Sequence, residues 1–517
     1  MNTHSAPDMH SRRRPGRHRT RRSPGGRPLR LVALALLLAV VPDTQAFLQS
    51  GWQEEQRLTY DDAISYGPPN NAKYIAVDNM QRVHVVWSDE RDRNREIYHM
   101  VQSDYVWSEP ERLTWSKERS ARPTLAVDAA GRVHLVWNDS KDGNKEIYHK
   151  IWTGSWRTDR RVSETDGDSF APSIVAEGLY IHLVYNEIVD GHNEIIYRMF
   201  DFIDWSGAEQ LTSMPSGDRT VASIALGPDC SLHVAWWDTR EDPPGNTEGK
   251  IYYRSRTSGW NPEECVSGPA ADAMRPNITV DDSGHVHVVW IDKREQYEQI
   301  YYCKRTDEGW GTEIPLTSSD YTHYHPSIAS VGDELYLAYW VTYPSLSNPG
   351  IYFRTMEGNA WGGESRITAD NSMASICCLI AEPDRNLHLA WVDQRDGNME
   401  IYYRHFIHPQ NGVGDIDSDE PPETPGYPLT LGATPNPFSN TTRIDLSLPG
   451  TLETSIRIFD VTGRCVRVLA EDRLADGNHP FLWDGTDERG RRLSPGVYFV
   501  RAHAGKQRAN RKVLLVR

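Results

Sequence analysis

From residue 84 onward the chain repeats one phrase: a ring-bearing residue, three apolar residues ending in Trp or Tyr, an acidic turn, then Ile-Tyr. The first copy reads His84-Val85-Val86-Trp87, Asp89, Arg91-Asp92, Asn94 and Glu96-Ile97-Tyr98. Later copies centre on His134, His182, His233, His287, Tyr336 and His388, at intervals of 50, 48, 51, 54, 49 and 52 residues. A strand-rich unit of this length cannot bury both its faces alone and must stack on its neighbours, which is the pattern of a β-propeller.

Each repeat holds four strand signals. In the second, Arg122 to Asp128 reads as the innermost strand, Val133 to Trp137 as the next and Glu146 to His149 as the third, with Trp156 and Val162-Ser163 marking the fourth. Asp142-Gly143-Asn144 tolerates left-handed backbone and closes the hairpin between the middle strands. Those middle strands are apolar on both faces, as stacked sheets require.

The outer-strand signal, Trp followed six residues later by an aliphatic and then Thr or Ser, occurs at Trp52, Trp107, Trp156, Trp205, Trp260, Trp310 and Trp361. The first precedes every other element, and the last repeat, ending near His408, has none of its own. The expectation is an all-β chain whose N-terminal strand completes the last blade of a seven-bladed propeller, leaving no open sheet edge.

Residues 1–46 read as a removed secretory signal: nine arginines, an apolar run from Leu31 to Val41 too short for a comfortable span, and Ala46 for cleavage. The arginine pairs lie far from that run and lack the usual twin-arginine flanks. The whole chain carries −16, and residues 47–517 carry −23, with no basic stripe. That balance argues against nucleic acid and anionic membrane surfaces as partners, and nothing after residue 46 is apolar enough to cross a membrane as a helix. The six cysteines show no repeated spacing, so free buried thiols are expected; a bridge such as Cys265 to Cys303 is the alternative. Residues 47–408 form the repeat domain, 409–429 an acidic Pro- and Gly-rich tether, and 430–517 a small β-sandwich.

The last segment carries Pro435-Asn436-Pro437-Phe438, Thr442-Arg443-Ile444, Ile458-Phe459-Asp460-Val461-Thr462-Gly463-Arg464, Gly477-Asn478-His479, Trp483-Asp484-Gly485-Thr486-Asp487, Gly490 and Ser494-Pro495-Gly496-Val497-Tyr498-Phe499. These closely resemble the FlgD-type Ig-like domain and the related sorting domain read by type IX secretion. The resemblance implies an Ig-like sandwich that serves export or surface retention, with the secretion or anchoring machinery as partner. Less specifically, Thr306-Asp307-Glu308-Gly309-Trp310 resembles a degenerate Asp-box of sialidase-type propellers, and Asp393 to Tyr402 is similar to TolB-type repeats.

Three groups of residues are candidates for binding. The turn pairs Asp89/Arg91, Asp139/Lys141, Asp238/Arg240, Asp292/Arg294 and Asp393/Arg395 could ring a polar ligand, with arginine forks matching carboxylates. Their repetition is more economically a turn lock. Arg122-Pro123 and Arg275-Pro276 faintly resemble the Arg-Ile-Pro signature of sialidases, whose catalysis needs three convergent arginines, a Tyr/Glu nucleophile pair and an Asp acid. The stretch Asp320 to His325 breaks the repeat with Tyr321, His323 and His325, suiting catalysis or stacking on a sugar or protein; Glu241 to Lys250 is a second unique polar loop.

The six His of the repeat lie on different blades, so core packing is expected and no metal site. Turns such as Asp139 to Asn144 resemble calcium loops without EF-hand spacing; no cofactor is expected, and calcium would be structural. No catalytic set is assigned. The function expected is a secreted or cell-surface, outer membrane-associated protein binding an extracellular glycan or protein without turnover. A sialidase-like exo-glycosidase and a structural envelope protein are the rivals.

Overall fold

A computed structural model describes residues 51–69, 72–213, 217–240, 249–342, 349–409, 429–448, 450–460, 465–504 and 507–516. Residues 1–46, expected to be a secretory leader, nearly all of 409–429, expected to be a tether, and most of the stretch from Glu241 to Lys250 lie outside the described residues. Among the described residues every regular element is a strand, no helix is long and apolar enough to cross a membrane, and the strands form nine sheets with antiparallel ladders.

Seven sheets succeed one another between Gly51 and Ile407. The second is typical: Ser120–Val127, Val133–Asp139, Glu146–Trp152 and Arg160–Arg161 pair in chain order. The seventh draws on both ends of the domain. Ala374–Ala381, Leu387–Asp393 and Glu400–Ile407 come from the last repeat, whereas its outer edge is Gly51–Trp52 and Gln56–Arg57, with Trp52 opposite Phe406 and Arg57 opposite Tyr402. The innermost strands of the seven sheets touch in cyclic order, the last against Ile75–Val77 of the first. The fold is a β-propeller.

The outer-strand motif has a physical explanation. In all seven sheets its hydroxyl accepts the N–H of the repeat isoleucine at 2.8–3.1 Å, from Thr114 on Ile97 through to Thr59 on Ile401. Thr59, Thr114, Ser163 and Thr212 also donate to the buried glutamate just before that isoleucine. The motif's tryptophan locks the sheets together: each packs edge-on against a ring of the preceding sheet, at 5.1–5.5 Å and 77–89°. Trp52 meets Phe353 and Trp107 meets Tyr403, so the same contact runs across the chain ends. Such geometry adds about 0.5–1.5 kcal/mol per pair beyond burial.

The repeat histidines are buried and bonded at both ring nitrogens. His84 bridges Asp78 and His99, His134 bridges Asp128 and His149, His287 bridges Asp281 and Tyr302, and His388 bridges Glu382 and Tyr403. Tyr336 fills the slot in the sixth sheet and donates to Glu334 at 2.7 Å. The cysteine expectation needs correcting: all six thiols are free, but only Cys303, Cys377 and Cys378 are buried.

The last two sheets are built from Thr430–Thr434, Thr442–Leu448 and Gly477–Trp483, and from Cys465–Leu474, Leu452–Asp460, Gly496–Ala504 and Gln507–Leu515. Both contribute to one core, with Ile444, Leu446 and Trp483 from the first and Ile456, Ile458, Val500 and Val513 from the second.

Candidate functional site

Six innermost strands bulge at the same register, shortly after they begin. The bulged residues are Arg122, Ala171, Val221, Arg275, His325 and Ile376, all with φ between 42° and 55°. Left-handed backbone is uncommon for non-glycine residues and strained for β-branched Val221 and Ile376, so six repetitions mark a feature of the architecture. Bulges re-aim side chains at sheet rims. In the first sheet Gly67 follows Ser65–Tyr66 at this place, and the strand resumes only at Ile75. The sequence reading began the second innermost strand at Arg122; it begins at Ser120, and Arg122 is the bulge itself.

Three of the re-aimed side chains are basic. The Arg275 guanidinium donates to His325 Nε2 at 3.0 Å. That bond and burial hold the imidazole neutral, its pKa pushed down to about 3 by desolvation and by the Arg275 charge. With Nε2 accepting, Nδ1 bears the proton, and it is a buried donor without a partner among the described residues. Arg122 makes no hydrogen bond or ion pair among the described residues. Its pKa is lowered by desolvation, then by the charges of Arg275 and Arg95, so the two bulge arginines feel one another. Arg275 is likewise depressed by desolvation. Buried arginine is treated otherwise elsewhere: Arg219 reaches Glu194 and Asp238 at 3.2 and 3.5 Å.

In two of the six bulged strands, and before Gly67 in the first sheet, the preceding residue adds aromatic surface: Phe170, Tyr324 and Tyr66. Phe170 lies 5.4 Å from the Arg122 guanidinium, and Tyr66 lies 3.8 Å from that of Arg95. Tyr324 packs on Trp340 at 5.1 Å and donates to Glu298 at 3.0 Å. Its hydroxyl is pushed up to about 12, chiefly by desolvation and the Glu298 bond, with Arg275 opposing. Sequence reasoning missed Tyr66 and Phe170, whose only signal was position, immediately before a residue that precedes Pro; Tyr324 lies in the stretch Asp320 to His325 that the sequence singled out.

The other sequence candidates do not converge. Asp89 holds Arg91 with two bonds of 2.7 and 3.0 Å and accepts its backbone N–H at 2.9 Å. Asp238/Arg240, Asp292/Arg294 and Asp393/Arg395 repeat the lock, and these three arginines also pair with Glu263, Glu313 and Glu55. Lys141 departs: its backbone bonds Asp139, while its ammonium pairs with Asp159. These side chains are mutually neutralised rather than offered to a ligand. The stretch around His325 is corrected too: Thr322–Val331 is the innermost strand of the sixth sheet, not a loop. His323 is buried against Tyr339 and bonds the Glu298 carbonyl, and Tyr321 is exposed. Only His325 joins the arginines.

In the calcium-like turns Asp142 accepts from Tyr148, and Asn144 bonds Glu146 and the carbonyls of Thr165 and Gly167. Asp396 and Asn398 repeat the arrangement. Glu382, His388 and His405 are the one triad of metal-capable side chains among the described residues. The two rings stack at 4.7 Å and 8°. Their lone pairs therefore run side by side, and an ion about 2.0–2.1 Å from each nitrogen cannot lie in both ring planes.

No curated protein sequence matches this chain. Among solved structures it is similar to an ulvan lyase of a polysaccharide lyase family, with TM-score 0.50 and 12% identity over 69% of this chain and 94% of that one. It is also similar to a Hadza microbial sialidase (0.41, 11%, 62% and 74%) and an α-L-arabinanase from Penicillium chrysogenum (0.41, 10%, 69% and 98%). Identities this low speak to fold and not to chemistry. Residues 434–508 match the family model described as the FlgD Ig-like domain, which places that module at the C-terminal end of the chain.

Proposed function

We propose that residues 47–408 form a circularly closed seven-bladed propeller that binds an acidic group of an extracellular glycan beside its axis, through Arg122, Arg275 and His325. One observation carries this reading. Arg122 shares the bulge register of Arg275 and His325 and has no carboxylate partner among the described residues, whereas buried Arg219 and the turn arginines Arg91, Arg240, Arg294 and Arg395 each pair with one. Two guanidinium forks and a buried imidazole N–H suit a carboxylate or sulfate, and Phe170 and Tyr66 supply faces for a sugar ring. The ulvan lyase, sialidase and arabinanase names agree with a saccharide as ligand. On this reading residues 1–46 direct export and 430–517 serve sorting or retention at the cell surface.

The test is binding of the full chain to acidic and neutral polysaccharides. Arg122→Ala and Arg275→Ala each lose about 2–3 kcal/mol of charge-assisted bonding, roughly 30–150-fold in affinity, for acidic polymers only. Equal binding by wild type and both variants sinks the proposal.

A sialidase-type hydrolase is the second reading, favoured by the Tyr324–Glu298 bond beside Arg275. Release of fluorophore from a sialoside, abolished in Tyr324→Phe, would replace the binding reading with this one. Absence of any polysaccharide binding and any turnover would leave the structural-envelope reading.

A further inference from the structure

We propose a second saccharide site, separate from the axis and independent of the reading above, on Trp115 at the junction of the first and second sheets. Trp115 is 70% exposed, yet its backbone is firmly held. Thr114 before it is bonded to Ile97 and Glu96, and Ser116 after it to Glu96 and Asp139. The backbone that carries the indole is thus held in place, which limits the ordering left to be done on binding to the side chain itself. At the same place in the other six repeats stand Tyr60, Glu164, Ser213, Gly268, Ser318 and Ala369, so the repeat itself does not call for an aromatic.

Beside the indole is a cavity of about 220 Å³, lined among others by Ser116, Asp139, Lys141, Lys150 and Asp159. An equivalent cavity of about 260 Å³ lies at the next junction, where Glu164 and Arg198 stand in place of Trp115 and Lys150, so it is these two side chains that set this wall apart. In the third, fourth and seventh sheets this ladder position is Arg198, Arg254 or Arg404. Each forks between a carbonyl of the preceding sheet (Val162, Leu211 or Ile367) and one further out (Ser206, Asn261 or Gln53). Lys150 reaches only the first kind, Leu113 O at 2.6 Å. Lys150 is buried as a residue, and Leu113 O is the one acceptor its ammonium reaches among the described residues. Burial pushes its pKa down.

A buried ammonium with one acceptor, on a cavity wall, points to a further acceptor supplied from outside. The ligand class follows from the rest of the wall. Lys141 and Asp159 neutralise one another, and Asp139 is already bonded by Ser116 and Ser120, so the cavity offers no net field for an ion. The volume lies below the about 300–1,000 Å³ of pockets for drug-sized ligands. A single neutral sugar ring fits: its apolar face on the indole, one hydroxyl oxygen accepting from Lys150, another hydroxyl donating to Asp159.

The test is native affinity electrophoresis of the full chain through gels containing xyloglucan, galactomannan, mixed-linkage β-glucan, alginate or polygalacturonate. At least one neutral polymer should retard the wild type. Trp115→Ala should weaken that retardation at least 10-fold and Lys150→Met about 3–10-fold, while Trp115→Phe keeps most of it and Arg122→Ala all of it. An unchanged thermal midpoint certifies that the exposed substitution leaves the fold intact. Co-migration of Trp115→Ala with wild type in every gel overturns the proposal. Failure of the axial site would instead show as acidic gels indifferent to Arg122→Ala.

Discussion

Replacing Thr59 by Ala tests whether the two ends of the propeller are joined. Its hydroxyl is buried, accepts the N–H of Ile401 at 2.9 Å across 342 residues of chain, and donates to the Glu400 carboxylate. In Thr59→Ala the amide of Ile401 is left buried without a side-chain acceptor, at about 1–3 kcal/mol, and a bond to a charged group disappears. Glu400 keeps Arg57 at 2.8 Å, so the carboxylate is not stranded. The net loss is about 2–4 kcal/mol, to be read from the denaturant midpoint at constant slope. Thr114→Ala removes the same pair of bonds, to Ile97 and Glu96, over only 17 and 18 residues. The two variants should therefore agree within about 1 kcal/mol, and Thr59→Ser should stay within about 1 kcal/mol of wild type because the hydroxyl survives. If Thr59→Ala falls within about 0.5 kcal/mol of wild type, the level of an uninvolved surface position, while Thr114→Ala destabilises, the closure argument is refuted.

Other outcomes follow from the same structure. His99, His233 and His405 are pushed down to about 4 by burial, below the ordinary 6.5. The unfolded chain then binds protons that the folded chain refuses, so the thermal midpoint should fall as pH drops from about 6.5 to 4; a flat profile there would refute it. Asp281, held at about 2 by bonds from His287 and His285 despite burial, contributes stability above about pH 4 that is lost between about pH 4 and 2. His99→Tyr, the residue found at that place in Tyr197, Tyr253, Tyr302 and Tyr403, should flatten the upper part of the profile. In Gly167→Ala the new methyl would lie 2.1 Å from the Ile188 carbonyl, so a loss of about 2 kcal/mol or more is expected in urea titration.

Much of the fold was legible because each repeat must satisfy the same backbone groups with the same side chains. The Trp-aliphatic-Thr/Ser motif could be counted, and its surplus at Trp52 and shortage after His408 required a partner across the ends. The Asp/Arg turns were legible as locks for the same reason. The site was less so. Arg122 and Arg275 could be singled out, but the bulge that re-aims them leaves no mark of its own: Val221-Ala222 and Ile376-Cys377 adopt it without a proline. His323 and His325 read as equals two residues apart, and only the bulge at His325 sends one toward Arg275 and leaves the other against Tyr339.

What the amino-acid order alone determined was the period, the strand content and the pairing of first element with last, since these depend on local hydrogen bonding repeated in every copy. Tertiary structure decided which charges meet. Arg122 and Arg275 stand 153 positions apart in the chain and sense one another only once the innermost strands gather about a common axis. Lys150 becomes conspicuous only beside the carbonyl and the indole contributed by the neighbouring sheet. Distance between repeats is set by the stacking of sheets, and a pattern read along one chain contains no measure of it.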